Sequence, residues 1–178
     1  MASNRHLGRI VALQTLYEYE FRLDCKDETA DLNEILQRNV VRYEDTIDDT
    51  DFVRSLTMST QQRLKELDEI IQPIAPEWPI AQIARVDRSI LRLALNELIF
   101  GNDVPPKVVI NEAVELAKAF GSENSSRFIN GVLGTAFRQL EENRQDKPKK
   151  KKPAKTKAAA KKPAAKKTAK RKPAGNKS

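Results

Sequence analysis

The fold is decided by the stretch Val86-Asp-Arg-Ser-Ile-Leu-Arg-Leu-Ala-Leu-Asn-Glu-Leu98, in which apolar residues recur at intervals of three and four. At 3.6 residues per turn, these intervals gather the apolar residues on one side of a helix. That side carries Ile90, Leu91, Ala94, Leu95 and Leu98. Gly101 follows at a position suited to a helix end. The stretch therefore predicts a long helix that ends near Gly101.

The same spacing predicts helices toward the N-terminus. The first runs from about Asn4 to Leu23, starts with cations and ends with apolar bulk. Its apolar face carries Leu7, Ile10, Leu13, Leu16, Tyr17 and Phe21. A shorter helix is predicted over residues 31–43, and the acidic run 44–51 that follows it is typical of a loop.

One long helix is predicted over residues 52–71, where apolar residues keep the helical spacing. Pro73 and Pro76 would stop it, because proline has no N–H to donate and clashes with the preceding turn.

Two further helices are predicted toward the C-terminus. Pro105–Pro106 can open the first, since a proline at the first helical position loses only a donor that had no partner, and Gly121 would end it. Residues 122–125 offer capping side chains for a last helix that reaches about Gln145. No stretch of residues 1–146 alternates with period two for long enough to predict a strand. The fold class is therefore all-α, a compact helical bundle.

Charge divides the chain into two parts. Residues 147–178 hold 14 Lys, one Arg, no acidic residue and no aliphatic or aromatic residue larger than Ala, so we expect this tail to be disordered. Residues 1–146 hold the other 17 Lys and Arg against all 25 Asp and Glu, a net charge of −8. An acidic domain and a basic tail imply two contact surfaces, with the tail available to any polyanion.

The composition disfavours catalysis and metal binding. Cys25 is the only cysteine of the sequence, which excludes an intramolecular disulfide. One cysteine and one histidine are too few ligands for a recognisable zinc site. There is no glycine-rich phosphate loop, nucleophile elbow or zinc-protease motif. No apolar stretch is long enough for a membrane span or a signal peptide, so we expect a cytoplasmic protein without cofactors.

Two features point instead to nucleic acid. Arg5, His6 and Arg9 lie within the first turns of the predicted first helix, with Arg5 and Arg9 on one face, and could grip phosphates. A basic turn at the start of a chain is also often only solvated.

The second feature is the junction of residues 118–128 between the last two predicted helices. A helix N-terminus there supplies free N–H groups, and its polar and aromatic side chains could contact an unpaired strand. These are Lys118, Ser122, Asn124, Ser125, Arg127 and Phe128. The serines and the asparagine could equally be simple caps, and Phe128 could belong to the core.

Four blocks of sequence resemble the NusB family. The first is Arg5-His-Leu-Gly-Arg9-Ile-Val-Ala-Leu-Gln-Thr-Leu-Tyr17. It is similar to the family's opening, an arginine-rich motif followed by an Ala-x-Gln-x-Leu-Tyr-like stretch. Residues 86–98, 104–118 and 120–133 follow in the family's order, so the similarity spans residues 4–140.

The resemblance implies a fold of two small helical subdomains that meet near Pro73–Pro79. It also implies a function: NusB-like proteins bind the boxA element of nascent ribosomal RNA leader transcripts together with NusE, and the pair helps RNA polymerase to read through terminators. It implies an RNA-binding surface made of Arg5, His6, Arg9, Tyr17, Lys118, Asn124, Arg127 and Phe128. Asp87 lies in the helix that would face the NusE partner.

Three positions depart from the family's pattern. His6 replaces a usual second arginine, which reduces charge at neutral pH. Asn124 stands where an acidic residue is common, which would remove some repulsion, and Asn96 replaces a frequent tyrosine. The basic tail lies outside the family core; it could add sequence-blind attraction to nucleic acid or only keep the chain in solution.

An alternative function comes from another class. Related helical domains occur in some ribosomal RNA cytosine methyltransferases, so the chain could position RNA for such an enzyme. The sequence contains no cofactor-binding glycine loop, which favours a stand-alone binding factor.

Overall fold

The computed structural model describes residues 4–101 and 104–145, which contain helices and no strand. The helices are α1 (Asn4–Asp24), α2 (Leu32–Arg42), α3 (Thr50–Gln62), α4 (Leu64–Ile74), α5 (Arg85–Phe100), α6 (Pro106–Phe120) and α7 (Ser125–Gln145). A short 3-10 turn, Ile80–Gln82, precedes α5. The all-α prediction is confirmed, and the expected tail 147–178 lies outside the described residues.

Helix α5 is the centre of the bundle. Most of its residues from Asp87 to Leu98 are buried, polar ones included. Helices α1, α2 and α3 pack on one another, as do α5, α6 and α7, and α1 and α3 both pack on α5. The buried apolar side chains of the two groups form one continuous core.

The structure corrects the prediction of one long helix over residues 52–71. The chain breaks at Arg63, whose φ of −108° and ψ of 13° separate α3 from α4. Helix α4 packs on α5 and α7, so it belongs to the second group of helices. The two groups therefore meet at Arg63 and not near Pro73–Pro79. Pro73 lies inside the last turn of α4 and does not stop it.

The end of α1 requires a left-handed residue. Lys26 has a φ of 59°, and its N–H donates to the Leu23 carbonyl at 2.9 Å while the Asp27 N–H donates to the Arg22 carbonyl at 3.0 Å. These two bonds form a Schellman motif, which usually places glycine at the left-handed position. Hydrogen bonds from Thr29 and Arg22 to the Asp27 carboxylate lower its pKa to about 2.

Replacing Lys26 with glycine should stabilise the protein. A side chain in the left-handed region is disfavoured by roughly 1–2 kcal/mol, so Lys26→Gly should raise the free energy of unfolding by about 1 kcal/mol. Urea denaturation measures it, with Lys26→Ala as the control that keeps a Cβ and should leave the free energy unchanged. Equal values for the two variants would contradict the left-handed conformation.

Candidate nucleic-acid interface

The most deeply placed cation of the N-terminal cluster is Arg9. Its Nε donates to Glu97 Oε2 at 2.9 Å, a terminal nitrogen donates to Glu97 Oε1, and Nη1 lies 3.3 Å from Glu112 Oε2. The side chains of Arg9 and Glu97 are each only 6% exposed. Arg9 thus ties α1 to α5 and α6. This corrects the expectation that Arg9 grips phosphates, because two carboxylates already occupy its guanidinium.

Arg5 and His6 remain at the surface beside this pair. The Arg5 side chain is 40% exposed; it lies 3.6 Å from Asp49 Oδ2, and its guanidinium carbon is 5.1 Å from the Phe52 ring centroid. The His6 side chain is 41% exposed, with Nδ1 2.9 Å from Glu112 Oε2. Of the three predicted N-terminal contacts, these two are therefore accessible to a ligand.

The junction between α6 and α7 is built around a buried serine. Ser125 is 2% exposed; its Oγ accepts the Ser122 N–H at 2.8 Å and donates to Asp87 Oδ2 at 2.9 Å. Gly121 leaves room for it, because an added Cβ would lie 2.4 Å from Ser125 Cβ and 2.6 Å from the Ala117 carbonyl oxygen. Ser125 is thus a cap and a tie to α5, which corrects its expected place on the RNA-binding surface.

Other junction residues are open to solvent. Lys118, Ser122, Asn124 and Arg127 are exposed, and Lys118 Nζ lies 2.7 Å from Glu115 Oε1. Phe128 is partly buried and packs against the core, as the alternative interpretation of this residue had it. Its ring is therefore only partly available for stacking.

Asp87 lies beneath this junction. It is 7% exposed, so it cannot itself form much of a partner-binding surface, which corrects that expectation. Its Oδ1 is buried without a hydrogen-bond partner, and burial raises the pKa of the carboxyl group against the lowering effect of Ser125. Asp87 instead positions the start of α7 through Ser125.

Two aromatic side chains in the second half of α1 are more exposed than the sequence pattern predicts. Tyr17 and Phe21 are 40% and 49% exposed, although their spacing placed them on the apolar face of α1. The Arg85 guanidinium carbon lies 5.7 Å from the Tyr17 centroid and 5.2 Å from that of Phe21, and Arg85 also pairs with Asp24. Arg85 gave no signal in the sequence, since it reaches these rings from α5.

His6 and Tyr17 lie on the same side of α1. The contacts of Arg9 with Glu97 and of Asp24 with Arg85 show that α1 runs antiparallel to α5. Tyr17 lies eleven positions after His6, which returns the helix to within about 20° of the same direction, so both side chains face the same way. His6 contacts Glu112 of α6, and the α6–α7 junction is tied through Ser125 and Asp87 to the start of α5, where Arg85 contacts Tyr17. On these contacts we group His6, Tyr17, the exposed Phe120 and the exposed junction residues Ser122 and Asn124 under the name α1–α6 strip.

Within residues 4–101 and 104–145, no group of three or more His, Cys, Asp or Glu side chains could hold a metal ion. None of the helices in these ranges is long and apolar enough to cross a bilayer. Cys25 is an exposed free thiol. The groups that the α1–α6 strip offers to a ligand are an imidazole, hydroxyls, an amide and aromatic rings.

Comparison with known proteins shows that the chain is similar to a known family. The NusB family model matches residues 6–138. The transcription antitermination protein NusB of Chloroflexus aggregans is 46% identical over 137 residues, which cover 76% of this chain and 87% of that protein. The corresponding protein of Roseiflexus castenholzii is 42% identical over 144 residues, covering 80% and 97%.

Solved structures have the same fold. NusB of T. maritima superimposes with a TM-score of 0.69 at 33% identity, covering 78% of this chain and 94% of that one. A crystal structure of antitermination factors NusB and NusE in complex with double-stranded RNA contains a chain with a TM-score of 0.67 and 25% identity, covering 78% and 99%.

Removing Arg9 should destabilise the fold strongly. Arg9→Ala leaves Glu97 buried without its cation, and breaking such a pair lowers the free energy of unfolding by about 3–5 kcal/mol. Thermal and urea denaturation measure it. The control, Arg38→Ala, removes an exposed arginine paired with Glu18 and should change the free energy by less than about 1 kcal/mol. Similar small losses in both variants would show that Arg9 is not a structural residue.

Replacing Asp87 with asparagine should alter the pH dependence of stability. Because the folded pKa of Asp87 is raised, the folded state holds this proton more tightly than the unfolded chain, and the contribution of Asp87 to stability falls as pH rises from about 4 through the raised pKa. A side-chain amide cannot ionise, so the stability of Asp87→Asn relative to the parent should increase over that window. A difference in unfolding free energy that stays constant with pH would contradict the raised pKa.

Proposed function

The chain belongs to the NusB family, and we propose that it acts in the cytoplasm as an antitermination factor that binds boxA-type single-stranded RNA of ribosomal RNA leader transcripts together with NusE. The observation that carries the proposal is the α1–α6 strip, where His6 and Tyr17 face one way beside the α6–α7 junction. A relative of the same fold is known in a complex with NusE and RNA, which supports the partners.

The strip and its neighbours supply the contacts that a short RNA strand needs. Arg5 is a partly exposed cation next to His6, and Lys118 and Arg127 are exposed cations near the junction; all three can contact phosphates. Tyr17 offers a ring face on which an unpaired base can stack, with Arg85 fixing the ring from behind. Cations around a central ring are typical of single-strand recognition.

The junction residues would complete the contacts. Ser122 and Asn124 are exposed and can hydrogen-bond to base edges or sugars, and the partly buried Phe128 can contribute the free part of its ring. Ser125 and Asp87 contribute indirectly, because they hold the start of α7 in place. Arg9 has the same indirect role at the start of α1.

Binding, and not catalysis, is the proposed activity. We infer that the protein pair of this chain and NusE acts within an antitermination complex with RNA polymerase, and that residues 147–178 add sequence-blind attraction to nucleic acid. The matches to antitermination proteins span 87% and 97% of those relatives, which favours this function over the alternative of an RNA-positioning domain for a methyltransferase.

Two substitutions test the RNA contacts while avoiding the buried pair. Arg5→Ala should weaken boxA binding and reduce the slope of log affinity against log salt by about 0.7, the value for one phosphate contact on a single strand. Tyr17→Ala should weaken binding by about 1–3 kcal/mol with little change in the salt slope, because a lost stacking contact is not ionic. The measurement is RNA affinity in the presence of NusE at several salt concentrations.

The control is Arg38→Ala, which removes an exposed arginine of α2 that pairs with Glu18 and is not part of the strip. A shuffled RNA of equal length controls for non-specific attraction by the tail. If the parent protein with NusE binds boxA no better than the shuffled strand, or if Arg5→Ala and Tyr17→Ala both bind like Arg38→Ala, the proposed function is wrong.

A further inference from the structure

A cleft outside the α1–α6 strip lies between α1, α3 and the C-terminal half of α5. Its volume is about 370 Å³, within the range of small-molecule sites. It is lined by Arg5, Ser55, Ser59, Arg63, Asn96 and Phe100, among others. Apart from Arg5, the RNA-binding proposal uses none of these residues.

A buried amide without a full set of partners lies in the wall of this cleft. Asn96 is 4% exposed, and its Nδ2 donates to Ser59 Oγ at 2.7 Å. Its Oδ1 is buried and has no hydrogen-bond partner. A buried carbonyl oxygen without a donor is disfavoured, so the Asn96 side chain gains a hydrogen bond when it turns Oδ1 toward the cleft and a ligand brings an N–H group to it.

Two arginines, each stacked on an aromatic ring, flank the amide. The Arg63 guanidinium carbon lies 4.3 Å from the Phe100 centroid, and its Nη1 donates to the Ser59 carbonyl at 3.2 Å. Arg5 stacks at 5.1 Å on Phe52, which also lines the cleft. Stacked guanidinium and aromatic planes suit a flat ring, and two positive charges suit an anion.

We propose that this cleft binds one nucleotide whose base carries an exocyclic amino group. The amino group donates to Asn96 Oδ1, the base lies against the stacked planes of Arg63 and Phe100, and the phosphate is bound by Arg63 and Arg5. Asp49 pairs with Arg5 at 3.6 Å in an exposed position, where screening is strong and a phosphate can compete. The site goes beyond the proposed function, and its ligand is either a free nucleotide or an unpaired nucleotide of an RNA strand.

The rim charges favour a nucleotide over an aromatic side chain of a protein. A tyrosine or phenylalanine could fill the same volume, but neither carries a negative charge for Arg5 and Arg63. A tyrosine hydroxyl could donate to Asn96 but would leave both arginines without an anion, and phenylalanine has no donor at all. The nucleotide is the ligand class that matches all three features.

The test is a titration of the full chain with CMP, UMP or inorganic phosphate. Binding is monitored through the NMR signal of the Asn96 side-chain amide. CMP and UMP match in size and charge, but only cytosine has the exocyclic amino group. Saturable CMP binding that shifts this signal is expected, with affinity about tenfold higher than for UMP or phosphate. No saturable CMP binding, or equal affinity for CMP and UMP, would overturn the proposal.

Two variants locate the site. Asn96→Tyr fills the cleft with a large side chain, and it should lower CMP affinity by about tenfold or more. Asn33→Tyr makes the same change on the exposed face of α2 and should bind CMP like the parent. Arg63→Gln, which keeps the cleft open, should also weaken CMP binding. Parent-like CMP affinity in both Asn96→Tyr and Arg63→Gln would refute the site.

Further titrations identify the source of the ligand. An RNA with an unpaired terminal cytidine that shifts the Asn96 signal at lower concentration than CMP supports a strand; a response to CMP and not to this RNA supports a free nucleotide. A stronger response to N-acetyltyrosinamide than to CMP would overturn the proposal in favour of a protein ligand. Because CMP binding is measured without NusE or boxA, its outcome is independent of the antitermination proposal.

Discussion

The buried ion pair of Arg9 with Glu97 is the interaction on which the arrangement of the site depends. It fixes the first turns of α1 against α5, and the additional contact with Glu112 fixes them against α6. Two charges in such a buried position are tolerated only when they are paired and hydrogen-bonded. The position of Glu97 on α5 therefore determines where Arg9, and with it the start of α1, must lie. The exposed Arg5 and His6 lie one turn before Arg9 and are positioned by it.

A second buried polar contact has the same role at the opposite end of α5. Asp87, in the first turn of α5, accepts from Ser125, which in turn caps the chain between α6 and α7. Helix α5 thus contributes two buried carboxylates, one near each end, and each holds an element that carries exposed binding groups. The central helix positions the interface without forming much of its surface.

Much of the fold could be predicted from local pattern. Proline and glycine marked both ends of α6, and helical spacing gave the extent of α1, since these signals act over a few residues. The break at Arg63 was missed because the apolar spacing continues through it from Leu56 to Leu67. The left-handed Lys26 was missed as well, because lysine is not a residue that usually marks a helix end.

The site was harder to predict, because exposure depends on what packs against a residue. Spacing correctly placed Arg5 and Arg9 on one face of α1, but it could not reveal that carboxylates 88 and 103 residues further along the chain bury Arg9. Glu97, an acidic residue inside the apolar stretch of α5, was the sequence signal that a cation would be buried beside it. Similarly, the apolar face of α1 extends to Tyr17 and Phe21, whose rings the other helices of the described residues leave largely uncovered.

We infer that Arg9 holds the interface in place and does not bind RNA. NMR of the arginine Nε–H groups during titration of the full chain and NusE with boxA RNA tests it most directly. If Arg9 stays paired with Glu97, its signal should keep its shift and exchange slowly with solvent while the Arg5 signal moves. A large shift of the Arg9 signal together with loss of its protection, showing that the guanidinium leaves Glu97 for the RNA, would contradict it.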